Sequence, residues 1–541
     1  MTKSGRSIIP IEQKMTILSL LSLVLLFVVC VSFMFSTSSS KVGKVAMIGG
    51  GSFGTTMARH IGNVNRTNEV NLWIYEEDII DEFSGMTKKL TDVINQEHVN
   101  IKYLPDFELP SNVYASHDIV QVCADADVIF FAIPHQFVHR VLKDMTSDPD
   151  LQLKEGVVLC NIGKGIGVDE QHQPQLMSDM ISSYFSDKEV VVLQGANVAS
   201  DVARGDFCET TIACTSLRNA YRVRSLVECP TFKVDAITQN TRSVEICGAL
   251  KNVIALAAGF CDGLEVGQST KAAVLRQGLH EMKLFCNLYN HMCEHSAAGD
   301  DDDEKLFTSL SISDKESENL LNSEGTEFNQ KSENTKILAQ SDTDLMTASI
   351  RSEPSRDQVD LETSQIPYCN VHVDSDRQYK DDVFLSSCGV ADLIATCYGG
   401  RNRKCAEAIA RRMLLEYQGM TAMTTSTADN DAKQCALSPG FTSKLWQTVE
   451  AELLSGQKLQ GYTTCLDFLE CLTDDSFASK MLAFGSKRSG KELSSKYGIS
   501  SGELLCKEFP LLCRVYQILH GKDVRTVLKW FEYDFLASPL S

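Results

Sequence analysis

Six consecutive residues, Gly49-Gly50-Gly51-Ser52-Phe53-Gly54, satisfy the spacing G-x-G-x-x-G. Their setting gives that pattern its meaning. The apolar run Lys44–Ile48 before them reads as a buried strand, and Thr55–Ile61 after them can wind into a helix. In such a strand–turn–helix unit Gly49 permits the tight turn, Gly51 lets a pyrophosphate approach the backbone, and Gly54 allows helix to pack closely on strand. The helix start then offers free N–H groups and a partial positive charge to the anion. The next strand runs into Glu76, where a carboxylate can accept a hydrogen bond from an adenosine ribose, or can be a solvated loop charge. A negative charge there repels a 2′-phosphate, so NAD is expected rather than NADP.

A second set of residues is reactive by type. Lys251 lies inside the apolar stretch Val244–Val253. On residue type alone such a lysine usually snorkels to water, but a buried ammonium with a lowered pKa can act as acid in one direction and base in the other. Lys164, between Gly163 and Gly165, could be an ordinary turn lysine. Arg401 and Asn402 follow Gly399-Gly400. A planar guanidinium grips a phosphate dianion by two bonds at once, and it can equally cap a helix C-terminus.

Several segments together resemble the NAD-dependent glycerol-3-phosphate dehydrogenases, and are most similar to the eukaryotic cytosolic type. Val244-Glu245-Ile246-Cys247-Gly248-Ala249-Leu250-Lys251-Asn252-Val253 resembles that family's catalytic-lysine helix. Cys388–Leu393 and Thr396-Cys397-Tyr398-Gly399-Gly400-Arg401-Asn402 resemble its substrate-phosphate segment, and Pro134–Phe137, Gly195-Ala196-Asn197 and Gly456–Gly461 match further motifs in family order. The resemblance implies interconversion of sn-glycerol 3-phosphate + NAD with dihydroxyacetone phosphate + NADH. It implies Lys251 as general acid/base, Asp392 as the group that orients it, and Lys164 near the reacting centre. Asn252, Thr396, Arg401 and Asn402 would hold the substrate, with Lys164 and Arg401 touching cofactor as well. Phe137 and Ala199 would line the nicotinamide pocket, although by type Phe137 can equally be core, and Lys458 and Gln460 would sit on a loop closing over the cofactor. A homodimer is implied too. Where the family commonly has Trp, this chain has Phe53, which keeps an aromatic ring beside the phosphate loop.

These residues need elements to hold them. Strand-like runs recur at Val70–Tyr75, Val128–Ile133, Val157–Ile162 and Val190–Leu193, with helical stretches between several of them. That alternation predicts an α/β fold with a mostly parallel, doubly wound, Rossmann-like sheet. After about Thr238 the pattern turns helical. The expected organisation is an N-terminal hydrophobic segment over 1–40, an NAD-binding domain over 41–238, and a helical substrate domain over 239–541. Polar insertions at about 296–365 and 418–439 interrupt the last. The longer one carries roughly 17 acidic and 6 basic side chains and too little apolar surface to offset its chain entropy.

A net charge of −20 argues against binding nucleic acid. Nineteen scattered cysteines, with no C-x-x-C and no zinc-type spacing, fit a reduced protein facing the cytosol, and no metal site is expected. No charged residue occurs in 16–36, and Ile17–Phe35 as a helix would be roughly 29 Å long, about the thickness of a bilayer core. A membrane anchor, a cleaved signal peptide and an upstream extension all fit that stretch. The expected location is membrane-associated with the catalytic part on the cytosolic side, with soluble cytoplasmic protein as the alternative.

Two rivals stand beside this reading: a two-domain hydroxyacid reductase, and a silent NADH-binding module regulating a membrane partner. The Gly-Gly-Arg-Asn segment opposes the first, and Lys251, Asp392, Thr396 and Arg401 together oppose the second. Replacing residues 300–362 by a short Gly/Ser linker should leave NAD-linked activity largely unchanged, because such an insertion contributes little burial. Loss of soluble protein in expression trials of that deletion would show that the segment packs on the enzyme.

Overall fold

A computed structural model of the chain describes residues 43–66, 68–80, 86–296, 383–424, 438–454, 459–485 and 499–532. The apolar N-terminal run, most of both polar insertions and Lys458 lie outside these residues. Eight strands form one sheet: β1 (Lys44–Ile48), β2 (Glu69–Trp73), β3 (Val113–Ser116), β4 (Val128–Phe131), β5 (Val158–Asn161), β6 (Val190–Gln194), β7 (Cys208–Ala213) and β8 (Phe232–Thr238). Their order across the sheet is β3-β2-β1-β4-β5-β6-β7-β8. The first six run parallel, β7 is antiparallel to β6, and β8 is parallel to β7. An order that reverses direction between β1 and β4 opens a crevice at the carboxyl ends of those strands, where doubly wound sheets bind their ligands.

Alternation along β1 explains why both faces are covered. Val45 and Met47 pack with Met57, Ala58 and Ile61 of helix α1 (Ser52–Val64). Ala46 and Ile48 pack on the opposite face with Val138, Leu142 and Met145 of α2 (His135–Ser147). All four β1 residues are fully buried, so the strand is apolar throughout, as central parallel strands must be. The strands β3, β7 and β8 are not among the expected ones. β3 has four residues, and β7 buries the polar side chains Thr210 and Thr211. β8 is an edge strand with a part-exposed, mixed pattern, so none of the three gives a long apolar run.

Beyond Thr238 the described chain is helical. Its axis is α3 (Thr241–Gly263), buried at nearly every position from Ser243 onward. It is the one described helix long and apolar enough to cross a membrane, and it lies wholly inside the fold. The other helices are α4 (Gln268–Ser296), α5 (Asp392–Gly399), α6 (Arg401–Thr424), α7 (Pro439–Leu454), α8 (Gln460–Thr473), α9 (Asp475–Gly485), α10 (Ser501–Glu508) and α11 (Pro510–Leu519), of which α4, α5, α6, α8 and α11 pack on α3. Small residues let α6 come close: a methyl on Gly259 would lie 2.2 Å from the Arg403 carbonyl oxygen, and one on Gly263 would lie 2.5 Å from Ala410 Cβ. Asp262 then accepts from Lys271 at 2.8 Å and Arg403 at 3.0 Å, tying α3 to its neighbours. On α4, the buried Glu281 accepts from the backbone N–H groups of Leu511 and Leu512 at 2.8 and 3.0 Å. It thereby satisfies the open N-terminus of α11.

Candidate active site

The glycine loop follows β1 into α1 in the expected way. Gly49 has φ +118°, and a methyl there would lie 2.7 Å from the Ala132 carbonyl oxygen. A methyl on Gly54 would lie 1.8 Å from the Gly49 carbonyl oxygen, so the helix rests directly on the turn. Gly51, by contrast, faces open space, and no side chain caps α1. Backbone N–H groups at a bare helix start beside an open glycine suit a pyrophosphate. Gly50 lies against Ile74, and Phe53 packs at the edge of the core. One buttress was invisible in the sequence: the fully buried Asn100 donates to Gly50 O at 3.1 Å and Thr55 Oγ1 at 2.9 Å. A lone Asn between short elements carries no pattern that would single it out.

Glu76 lies just past the end of β2, as expected, with its carboxylate accepting from Thr91 Oγ1 at 2.6 Å and lying 3.4 Å from His117 Nδ1. Two residues before it, Ile74 is buried, whereas the ring of Tyr75 is 68% exposed. Phe137, on the first turn of α2, is 45% exposed and so does not belong to the core. Ala199 begins the short helix Ala199–Arg204 and is half-buried. Gln460 is the first residue of α8, and Lys458 lies outside the described residues.

The reactive residues converge from distant parts of the chain. Lys251, on α3, donates from Nζ to Asp392 Oδ1 and, at 2.8 Å, to Thr396 Oγ1. Lys164 donates to Asp392 Oδ2 at 2.8 Å and to the Gly195 carbonyl at 3.2 Å. One carboxylate, 1% exposed, therefore holds two ammonium groups. Asp392 owes its place to a π-helical turn over Ser387–Ala391, in which a methyl on Gly389 would strike the Phe384 carbonyl at 2.4 Å. Burial drives the Lys251 ammonium down to about 7; the Asp392 carboxylate opposes that fall, and the Lys164 charge adds to it.

The Gly163–Gly165 loop that carries Lys164 is fixed on several sides. Gly163 N donates to Asn161 Oδ1 at 2.9 Å, and its carbonyl accepts from Gln194 Nε2 at 2.6 Å. Asn161 in turn donates to the buried Glu245 at 2.5 Å, and Ser178 N donates to the same carboxyl at 3.0 Å. Burial pushes the Glu245 carboxyl up to about 7. These bonds leave α3 at Glu245, pass through the loop and Asp392, and return to α3 at Lys251. Neither Asn161 nor Gln194 stood out in the sequence, since each is a single amide at the end of a strand.

Thr396, Asn252 and Asn402 are buried beside this cluster. Asn402 Nδ2 donates to Asn252 Oδ1 at 2.8 Å, Asn402 Oδ1 accepts from Gly461 N at 2.9 Å, and Asn252 Nδ2 donates to Gly248 O at 3.2 Å. Each amide group keeps a second N–H for a ligand. Arg401 opens α6, directly after the Gly400 that ends α5. The preceding glycines differ: Gly399 faces open space, while a methyl on Gly400 would meet Thr396 O at 2.4 Å. The tight link from α5 to α6 depends on the second.

Comparison with known proteins agrees with this geometry. Residues 44–220 match the family described as NAD-dependent glycerol-3-phosphate dehydrogenase N-terminus, and residues 240–310 and 375–436 match the corresponding C-terminus. The chain is 33% identical over 447 residues to the human cytoplasmic glycerol-3-phosphate dehydrogenase [NAD(+)], covering 82% of this chain and 91% of that one. Among solved structures, the Saccharomyces cerevisiae glycerol-3-phosphate dehydrogenase is 25% identical with a TM-score of 0.54, over 91% of this chain and all of that chain. The Dunaliella salina structure is 26% identical with a TM-score of 0.58, and this chain spans 60% of its length.

The two glycines should behave differently on substitution. Gly51→Ala should leave thermal unfolding unchanged while weakening NADH binding, because its methyl fills only the space over the loop. Gly54→Ala should lower both, with binding weakened on the order of tenfold by overpacking of about 1–3 kcal/mol. Fluorescence titration with NADH beside a melting curve checks both; equal melting losses would mean that Gly51 is structural.

Proposed function

The chain belongs to the NAD-dependent glycerol-3-phosphate dehydrogenase family, and from that premise we propose that Lys251 is the general acid/base of the reaction, held by Asp392 and assisted by Lys164. The enzyme interconverts glycerol 3-phosphate and dihydroxyacetone phosphate with NAD as its cofactor. Bound NADH supplies the hydride for the substrate carbonyl carbon. Negative charge then grows on the carbonyl oxygen and requires a proton donor beside it. The observation that carries the proposal is the buried Lys251 ammonium, hydrogen-bonded to Asp392 and Thr396 and lowered to about 7. A donor of that pKa gives up a proton readily in reduction and recovers it in oxidation.

The other roles follow from charge and placement. Lys164 adds a second positive charge that favours the developing oxyanion. Arg401 and Asn402, in the first turn of α6, and Asn252 beside them hold the substrate phosphate, where the open N–H groups of the helix add to the attraction. The bare start of α1 takes the pyrophosphate, Glu76 the ribose, and Phe137 and Ala199 the nicotinamide. Lys458 and Gln460 close over the cofactor. A homodimer is proposed from the family likeness alone.

Lys251→Ala should reduce kcat on the order of 10²–10⁴-fold while NADH still binds. In the unaltered enzyme, reduction needs the ammonium form, so kcat should fall as pH rises through about 7. Oxidation needs the free amine and should rise over the same range. A mutant with near-normal turnover, or a limb that survives unchanged in Lys251→Ala, would remove Lys251 from the mechanism.

For location, the apolar run Ile17–Phe35 supports attachment to a membrane with the enzyme facing the cytosol. Full-length protein should stay in the membrane fraction through alkaline carbonate, since a helix of that length cannot leave without exposing its apolar surface. Recovery in the soluble fraction would leave the cytoplasmic alternative.

A further inference from the structure

His135 is used by none of the roles above, yet it sits 4% exposed between the nucleotide-binding sheet and the helical part. It is the first residue of α2. Its Nε2 lies 2.8 Å from Asp467 Oδ2 on α8, a carboxylate 332 positions further along the chain. The other ring nitrogen, Nδ1, is buried and has no hydrogen-bond partner. Its neighbour on that side is backbone: a methyl built on Gly165, whose φ is +143°, would lie 2.3 Å from His135 Nδ1 and 2.8 Å from Cγ. The edge of the imidazole thus lies against the residue that follows Lys164, and no residue with a side chain fits at 165.

We propose that His135 is a positioning residue: clamped by Asp467, its ring seats Gly165 and thereby keeps the Lys164 ammonium on Asp392. Asn161 and Gln194 hold the loop at Gly163, and the His135 ring lies against it at Gly165. A second pair, His172 Nδ1 to Glu470 Oε1 at 2.8 Å, fastens the same face of α8 one turn later to the hairpin of Ile166–Val168 and Pro174–Leu176. That pair is half-exposed and touches no catalytic group. It serves as an internal control, because it shares the packing role of His135 without contact to the Lys164 loop.

The inference rests on Lys251 as the acid and Lys164 as its neighbour. If the loop loosens, the Lys164 charge withdraws from Lys251, and the Lys251 ammonium loses a repulsive neighbour. The charged groups in this cluster are Lys164, Lys251 and Asp392, with Asp467 behind the imidazole. A retreat of Lys164 therefore moves the pH limb of kcat to higher pH, in both directions of the reaction.

The test compares His135→Gln, Asp467→Asn, Asp467→Glu and His172→Gln in the full chain, with Lys251→Ala measured alongside. Asp467→Asn keeps the shape of the side chain and carries the decision whatever His135→Gln does to folding. His135→Gln and Asp467→Asn should lower kcat by on the order of 10²-fold, as small misplacements of a catalytic group do. They should leave the Kd for NADH unchanged and shift the limb upward. Asp467→Glu should restore most of the rate, and His172→Gln should leave rate and limb as they were. A rate loss in Asp467→Asn with an unmoved limb, or one matched by His172→Gln, overturns the positioning role. If Lys251→Ala keeps its activity, the reading of Lys251 fails first, and that result is separate from the behaviour of His135.

Discussion

The site depends on one buried carboxylate shared by two lysines. Asp392 is 1% exposed and bonds Lys251 on one oxygen and Lys164 on the other. Three charges out of water are costly unless the geometry is tight and the remaining hydrogen bonds are made. The fold meets that demand by bringing the ends of β5 and β6, the π-turn before α5 and the middle of α3 to one point. In the proposed mechanism the net positive excess favours the alkoxide that would form beside it. Under that proposal, structural cost and catalytic use have the same origin.

The surroundings of Asp392 can be understood as devices that keep this cluster rigid. Glycines appear wherever backbone must touch backbone: Gly54 on Gly49, Gly389 on Phe384, Gly400 on Thr396 and Gly259 on Arg403. Amides end β5 and β6, where Asn161 and Gln194 fix the Lys164 loop. The circuit from Glu245 through Asn161 and Gly163 to Lys164, Asp392 and Lys251 begins and ends on α3. Because of that closure, the sheet and the helical part cannot shift against each other without breaking at least one bond in it.

Much of this was legible in the sequence, and the reasons for the exceptions are physical. The central strands announced themselves because parallel strands buried on both faces must be continuously apolar. The glycine loop was readable because its neighbours on either side fixed its context. Lys251, Asp392, Thr396 and Arg401 were singled out through several motifs in a fixed order, since type alone would have left Lys251 a snorkelling residue. Polar buttresses such as Asn100, Asn161 and Gln194 escaped notice, and His135 was matched within a motif without a role of its own. A single polar residue at the end of an element acquires its role only from a partner far away in the chain, and neither spacing nor periodicity records that partner.

Helix α3 has a consequence for how the protein comes into being. Its all-round apolar surface is hidden by α6, whose Arg403 meets Asp262 across 141 positions of chain. At synthesis rates of roughly 5–20 residues per second, about seven to twenty-eight seconds pass between the two segments leaving the ribosome. During that interval the face of this apolar helix that α6 will cover lies open. Slow translation through the intervening stretch prolongs that exposure.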